Sequence, residues 1–159
     1  MSQMAACGSV LRAGKVVVVG LGNPYRTDDG VGIEVIRRLE GAVEAEVWEA
    51  ARGGLPLAQA LLGYSRVLVV DAAPFLPAGE VSLVPLAEIP RSSLGREGPH
   101  GLGLAGALSL LSRSGLPVPE CWALAIGVPP DPPFGEGLSQ EVSRAVPRAV
   151  AEVMKWLTS

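Results

Sequence analysis

The chain has 159 residues, of which 48% are hydrophobic, and carries a formal net charge of −3. An acidic chain without a basic stripe is atypical of nucleic-acid-binding proteins, and no apolar run reaches the roughly 18 residues of a membrane-spanning helix. Two widely separated cysteines, Cys7 and Cys121, indicate a reduced, cytoplasmic protein. We expect a flexible tail at residues 1–14 and a single domain at residues 15–159.

The first half of the chain alternates strand and helix patterns. An apolar run at residues 15–21 predicts a strand buried on both faces. Helical spacing of apolar residues then predicts an amphipathic helix at 29–40. The next predictions along the chain are a strand at 44–50, a short helix at 55–62 and a buried strand at 66–71.

The second half continues this alternation with more proline. The strand predicted at 80–86 belongs at a sheet edge, because Pro85 cannot donate to a ladder. A polar loop at 87–99 ends at His100. The further predictions are a helix at 102–111, a strand at 121–128 that makes Cys121 a small core residue, a proline- and glycine-rich loop at 129–137 and a helix at 139–157. Pro147 is expected to bend or delay the last helix.

This order predicts an α/β fold, a three-layer α/β/α sandwich around a five-stranded twisted sheet. The sheet should be mostly parallel, with one antiparallel edge strand. In such sheets, ligands bind at the carboxyl ends of the strands. The loop that carries Asp28 and Asp29, the strand end at Asp71 and the loop that carries His100 are therefore expected on one rim.

Asp29, Asp71 and His100 are the candidate site residues. Two carboxylates and one imidazole suit a divalent ion such as Zn²⁺ or Ni²⁺ and leave coordination positions open. Each residue also has an ordinary structural interpretation. Asp28 or Asp29 could cap the following helix, an aspartate at a strand end is common, and a single histidine before a helix is often a surface residue.

Other chemistries fit the sequence less well. No G-x-S-x-G elbow accompanies Ser92 and Ser93, the serines near His100. Asp28 and Asp29 are chain neighbours whose side chains point apart, so they do not form an aspartic dyad. Tyr25 occupies the third glycine position of a dinucleotide fingerprint.

Five segments resemble, in the right order, the motifs of the hydrogenase maturation endopeptidases. They are residues 20–23 (GLGN), 28–32 (DDGVG), 69–72 (VVDA), 98–102 (GPHGL, with Gly98 in place of the usual serine) and 137–142 (GLSQEV). The resemblance implies a processing protease that removes a short C-terminal extension from the nickel-loaded large-subunit precursor of a [NiFe]-hydrogenase. We further expect a monomer or weak homo-oligomer. The charge and the lack of a long apolar run predict that it binds neither nucleic acid nor membrane.

The resemblance places the family's metal ligands on Asp29, Asp71 and His100, and gives Asp28 a capping or orienting role. The nickel is expected to be that of the substrate, although Zn²⁺ or Cd²⁺ can occupy such a site. Two mechanisms remain open at this point. The three residues either bind the precursor's nickel beside the scissile bond, or hold a metal that activates the attacking water.

Two rival functions are weighed against this interpretation. Peptidyl-tRNA hydrolases share the GLGNP segment at residues 20–24, but they continue with a histidine that this chain lacks there, and the isoelectric point of about 5.2 disfavours a tRNA-binding face. The other rival is a non-catalytic hydrogenase maturation docking protein. Ligand residues present at all three positions argue against that rival.

Overall fold

The computed structural model describes residues 14–89 and 103–159. A five-stranded sheet has the order β2-β1-β3-β5-β4. Its strands are β1 (Val16–Leu21), β2 (Glu46–Ala50), β3 (Arg66–Ala73), β4 (Val81–Pro85) and β5 (Glu120–Gly127). β1, β2, β3 and β5 are parallel, and β4 runs antiparallel to β5 at the edge. The predicted mixed α/β sheet is confirmed.

Four α-helices lie within the described residues and cover both faces of the sheet. They are α1 (Val31–Leu39), α2 (Gly54–Leu61), α3 (Leu104–Arg113) and α4 (Gln140–Leu157). The core on one face contains apolar residues of α1 and α4, and the core on the other contains those of α2 and α3. Within those ranges, no helix has the length and apolarity that crossing a membrane would require.

The valine run of β1 shows why both faces are covered. Val17, Val18 and Val19 are each fully buried. Side chains alternate along a strand, so Val18 packs on the α1–α4 face and its two neighbours on the α2–α3 face. Burying such a side chain stabilises the fold by roughly 1.5–3 kcal/mol, and a strand with only one covered face would lose half of these contributions.

The structure corrects two predicted boundaries and the predicted effect of Pro147 on the last helix. The helix predicted at 29–40 begins at Val31, because Thr27–Gly30 form a separate 3-10 turn. β3 continues two residues past Asp71, since its ladder with β5 extends to Ala73. Pro147 does not delay α4. The helix starts at Gln140 and continues through this exposed proline, where the carbonyl freed from bonding can face water.

Some predictions fall on residues that the structure does not describe. Residues 1–13, which hold Cys7 and most of the predicted tail, lie outside the described ranges, as do residues 90–102, which hold His100. Cys121 is described and is half-buried, packed against the core on the α2–α3 face. Burial, and secondarily the charge of Glu120, raises the pKa of its thiol to about 12. Such a thiol is a poor nucleophile.

Candidate functional site

The candidate site lies where the strand order of the sheet changes direction. The chain leaves β1 to form β2 on one side and later β3 on the other, so β1 and β3 flank the switch point. In open parallel sheets, a crevice forms there at the carboxyl ends of the strands. Asp29 follows β1, and Asp71 is the third residue from the end of β3. Both predicted carboxylates therefore belong to this rim, and we call them the carboxylate pair.

Glycines bring the start of α1 against the strand ends. Gly22 has φ +142°, and a Cβ there would overlap the carbonyl oxygen of Asp29. A Cβ on Gly32 would overlap the carbonyl oxygens of Leu21 and Val70. The 3-10 turn that carries Asp29 also contacts β3. Any larger residue at these glycines would push the Asp29 turn away from the strand that carries Asp71.

Asp29 closes its own loop. Its Oδ2 accepts a hydrogen bond of 3.0 Å from the backbone N–H of Asn23. The Asn23 side chain in turn accepts from the backbone N–H of Tyr25 at 2.9 Å. A carboxylate that accepts from backbone N–H groups is held in one orientation, because the donors belong to a folded loop. The Asp29 side chain is thus positioned before any ligand arrives.

Asp71 is a buried carboxylate, with 5% of its surface exposed. Its Oδ1 accepts a 2.7 Å hydrogen bond from the backbone N–H of Ala72. Alternation along β3 places Asp71 on the same face as Val69 and Ala73, which belong to the α2–α3 core. A carboxylate in such surroundings is costly unless polar partners or a cation stabilise it.

Asp28 does not cap the local helix, so the capping part of its predicted role is wrong. Neither the 3-10 turn nor α1 has a side-chain cap. Asp28 is instead buried, and its Oδ1 accepts a 2.7 Å hydrogen bond from the backbone N–H of Ser139. Ser139 is the N-cap residue of α4. The reason is geometric, since the β1–α1 loop passes the N-terminus of α4 and a negative charge is favourable there.

His100 lies outside the described residues, so its position relative to the carboxylate pair stays a prediction. The nearest described helix in the sequence is α3. Residues 114–119 join the last turn of α3 to the amino end of β5, so the first turn of α3 lies toward the carboxyl edge. Within residues 14–89 and 103–159, no three His, Cys, Asp or Glu side chains form a metal site. The described structure thus contributes two of the three predicted ligands.

A contact between two loops was not predicted from the sequence. Residues 129–137, predicted only as a proline- and glycine-rich loop, pair with the β1–α1 loop at an isolated bridge between Arg26 and Gly135. The Thr27 N–H donates to the Gly135 carbonyl at 2.9 Å, and the Gly135 N–H donates to the Tyr25 carbonyl at 2.8 Å. The density of proline and glycine was the only sequence signal of a constrained loop there.

Comparisons with known proteins show the family to which this chain belongs. A family model described as hydrogenase maturation protease matches residues 30–156. A Methanocaldococcus jannaschii protein assigned as a hydrogenase maturation protease is 30% identical over 147 residues, covering 87% of this chain and 94% of that protein.

Two solved structures extend the likeness to the fold. The hydrogenase maturating endopeptidase HybD from Escherichia coli superposes with a TM-score of 0.76 at 23% identity, covering 91% of this chain and 92% of that one. The [NiFe] hydrogenase maturation protease HybD from Thermococcus kodakarensis gives a TM-score of 0.66 at 26% identity, covering 89% and 98%. By the extent of the family match and the identity to its relative, this chain belongs to the hydrogenase maturation protease family.

Proposed function

We propose that the protein is an endopeptidase that removes the C-terminal extension of a nickel-loaded [NiFe]-hydrogenase large-subunit precursor. One observation carries the proposal. In a chain of this protease family, Asp29 and Asp71 are both located at the switch-point rim of the sheet. Such a rim is where α/β folds bind their ligands.

The carboxylate pair, together with His100, supplies the donors for recognising the precursor's nickel. Carboxylate oxygens and an imidazole nitrogen are suitable ligands for divalent nickel. Three protein ligands leave coordination positions for the groups with which the precursor already holds its ion. We therefore assign the nickel to the substrate, so that an unloaded precursor lacks the feature that these residues recognise.

The chain's own contribution to the reaction is positioning. Asp29 is oriented by the Asn23 N–H, and Asp71 by the Ala72 N–H and by its place in a paired strand. Groups fixed before binding lose little entropy when the substrate arrives. The nickel-bearing end of the precursor would be held against this rim, with the peptide bond to be hydrolysed close beside it.

Mass spectrometry of the precursor tests the proposal directly. A recombinant hydrogenase large-subunit precursor encoded in the same genome is incubated with the protein, once loaded with nickel and once without it. Loss of a discrete C-terminal peptide only from the loaded precursor is the expected result. Equal cleavage of both forms would contradict nickel recognition, and intact precursor in both would contradict the protease assignment for that partner.

A further inference from the structure

The most exposed aromatic side chains are gathered at the same rim. Phe134 is 81% exposed, Tyr25 is 64% exposed and Phe75 is 42% exposed. The chain has only two phenylalanines and two tyrosines in all. Tyr25, Phe75 and Phe134 follow β1, β3 and β5, three adjacent strands among the four parallel ones. All three segments therefore begin at the carboxyl edge of the sheet, the same edge as the carboxylate pair.

Backbone hydrogen bonds hold the three segments in place. Tyr25 and Phe134 flank the bridge between Arg26 and Gly135, and the Arg26 guanidinium lies 5.2 Å from the centre of the Phe134 ring. The turn that carries Phe75 is tied to β5, because the Gly79 N–H donates to the Gly127 carbonyl at 2.9 Å. Exposed aromatics on fixed loops present apolar area without the entropic cost of ordering a mobile segment.

We propose that Tyr25, Phe75 and Phe134, here called the aromatic rim, form the surface that binds the folded body of the hydrogenase large-subunit precursor. This inference rests on the proposed function. Aromatic side chains are enriched among the residues that dominate protein–protein affinity. Exposed apolar groups clustered at one place mark interaction sites, whereas scattered single ones do not.

Continuity with the carboxylate pair identifies the occupant as the precursor. Tyr25 lies in the loop that the Asn23–Asp29 hydrogen bond closes, and Phe75 is four residues beyond Asp71. A protein that brings its C-terminal extension to Asp29 and Asp71 would therefore meet the segments that carry these side chains. The aromatic rim would hold the body of that protein while the carboxylate pair receives its nickel-bearing end.

A recess beside Tyr25 adds to this surface. The cavity measures about 240 Å³ and includes Pro24, Tyr25, Glu136 and Leu138 among its lining residues. It is smaller than the roughly 300–1,000 Å³ typical of sites for drug-sized molecules. A single side chain of a protein partner fits this size better than a free organic ligand does.

A matched pair of triple variants tests the inference. Tyr25→Ser/Phe75→Ser/Phe134→Ser removes the aromatic rim. Leu110→Ser/Leu116→Ser/Met154→Ser is the control, because those side chains are 46%, 42% and 38% exposed and lie on α3, in the turn after it and on α4. We expect the dissociation constant for the nickel-loaded precursor to rise at least about tenfold in the rim variant and by less than about twofold in the control.

Measurements on the wild-type protein distinguish a failure of the proposed function from a failure of the docking inference. If wild type neither binds nor cleaves the loaded precursor, the proposed function fails. If wild type does both and the rim variant binds the precursor as tightly, the aromatic rim is not the docking surface. Should the triple variant unfold, Phe134→Ser alone is measured against Leu110→Ser. A rim variant that only abolishes self-association of the protein in size-exclusion chromatography would assign the surface to a second copy and overturn the proposal.

Discussion

Asp28 and Ser139, 111 positions apart in the chain, are joined by a 2.7 Å hydrogen bond from the Ser139 backbone N–H to the Asp28 carboxylate. The bond couples the loop after β1 to the N-terminus of the last helix. In a capping box, an acidic residue three positions into the helix accepts from the N-cap N–H. Here a carboxylate from another element takes that role, and the residue beside it is Asp29.

Asp28→Ala should lower the free energy of unfolding by about 1–3 kcal/mol, because it leaves the Ser139 N–H without an acceptor. Asp28→Asn keeps an acceptor oxygen and loses only the charge at the helix N-terminus, for about 0.3–1 kcal/mol. Glu141→Gln, an exposed charge loss in the first turn of the same helix, is the control. Urea unfolding measures all three. If Asp28→Ala lowers the free energy of unfolding by no more than Glu141→Gln does, the Ser139 N–H has found another acceptor.

Asp29→Asn, Asp71→Asn and His100→Ala should each reduce cleavage of the nickel-loaded precursor by about 10–100-fold or more, because each weakens or removes a ligand for the ion. The asparagines retain oxygens that can accept from Asn23 and Ala72, so the folded state should persist. Peptide release by mass spectrometry and thermal unfolding by circular dichroism give the two readouts. Asp131→Asn, the fourth aspartate, is the control for general charge loss. Parent-like cleavage by all three variants would show that the site assignment is wrong.

Gly22→Ala should destabilise the fold by about 3 kcal/mol or more and should also impair cleavage. It combines a strained backbone with a Cβ that overlaps the Asp29 carbonyl. Gly41→Ala is the matched control, since Gly41 has φ +77° and open space around a Cβ. That variant should cost about 1–2 kcal/mol and leave cleavage unaltered. Denaturant unfolding together with cleavage rates separates the two effects. If the two variants unfold at the same denaturant concentration and cleave at the same rate, the loop that carries Asp29 tolerates displacement.

Cys121 should make stability fall at alkaline pH. The pKa of its thiol is about 12 in the folded protein against an ordinary value of 9.0. A raised folded-state pKa contributes stability that is complete below pH 9 and is lost as pH rises toward 12, by up to about 1.4 kcal/mol per pH unit. In a Cys7→Ser background, Cys121→Ala should show a shallower loss between pH 9 and 11 in urea unfolding. If the free energies of unfolding of the two proteins fall in parallel with pH, the thiol is not buried enough to affect stability.

Much of the fold follows from local patterns in the sequence. Apolar runs predicted β1, β3 and β5 as buried strands, and helical spacing predicted α1, because periodicity reflects which side of an element faces the core. Pro85 marked β4 as an edge strand, which the structure confirms. The strand-end rule then selected Asp29 and Asp71 for the same rim without knowledge of the strand order.

Only the tertiary structure decided which distant groups meet. Asp28 pairs with Ser139 rather than with its own helix, and Arg26 contacts Gly135, across separations of more than 100 residues. Such contacts join irregular loops that have no periodicity, so nothing local in the sequence encodes them. They form because the β1–β3–β5 arrangement brings the ends of these strands to one edge, where each loop finds its hydrogen-bond partners in the others.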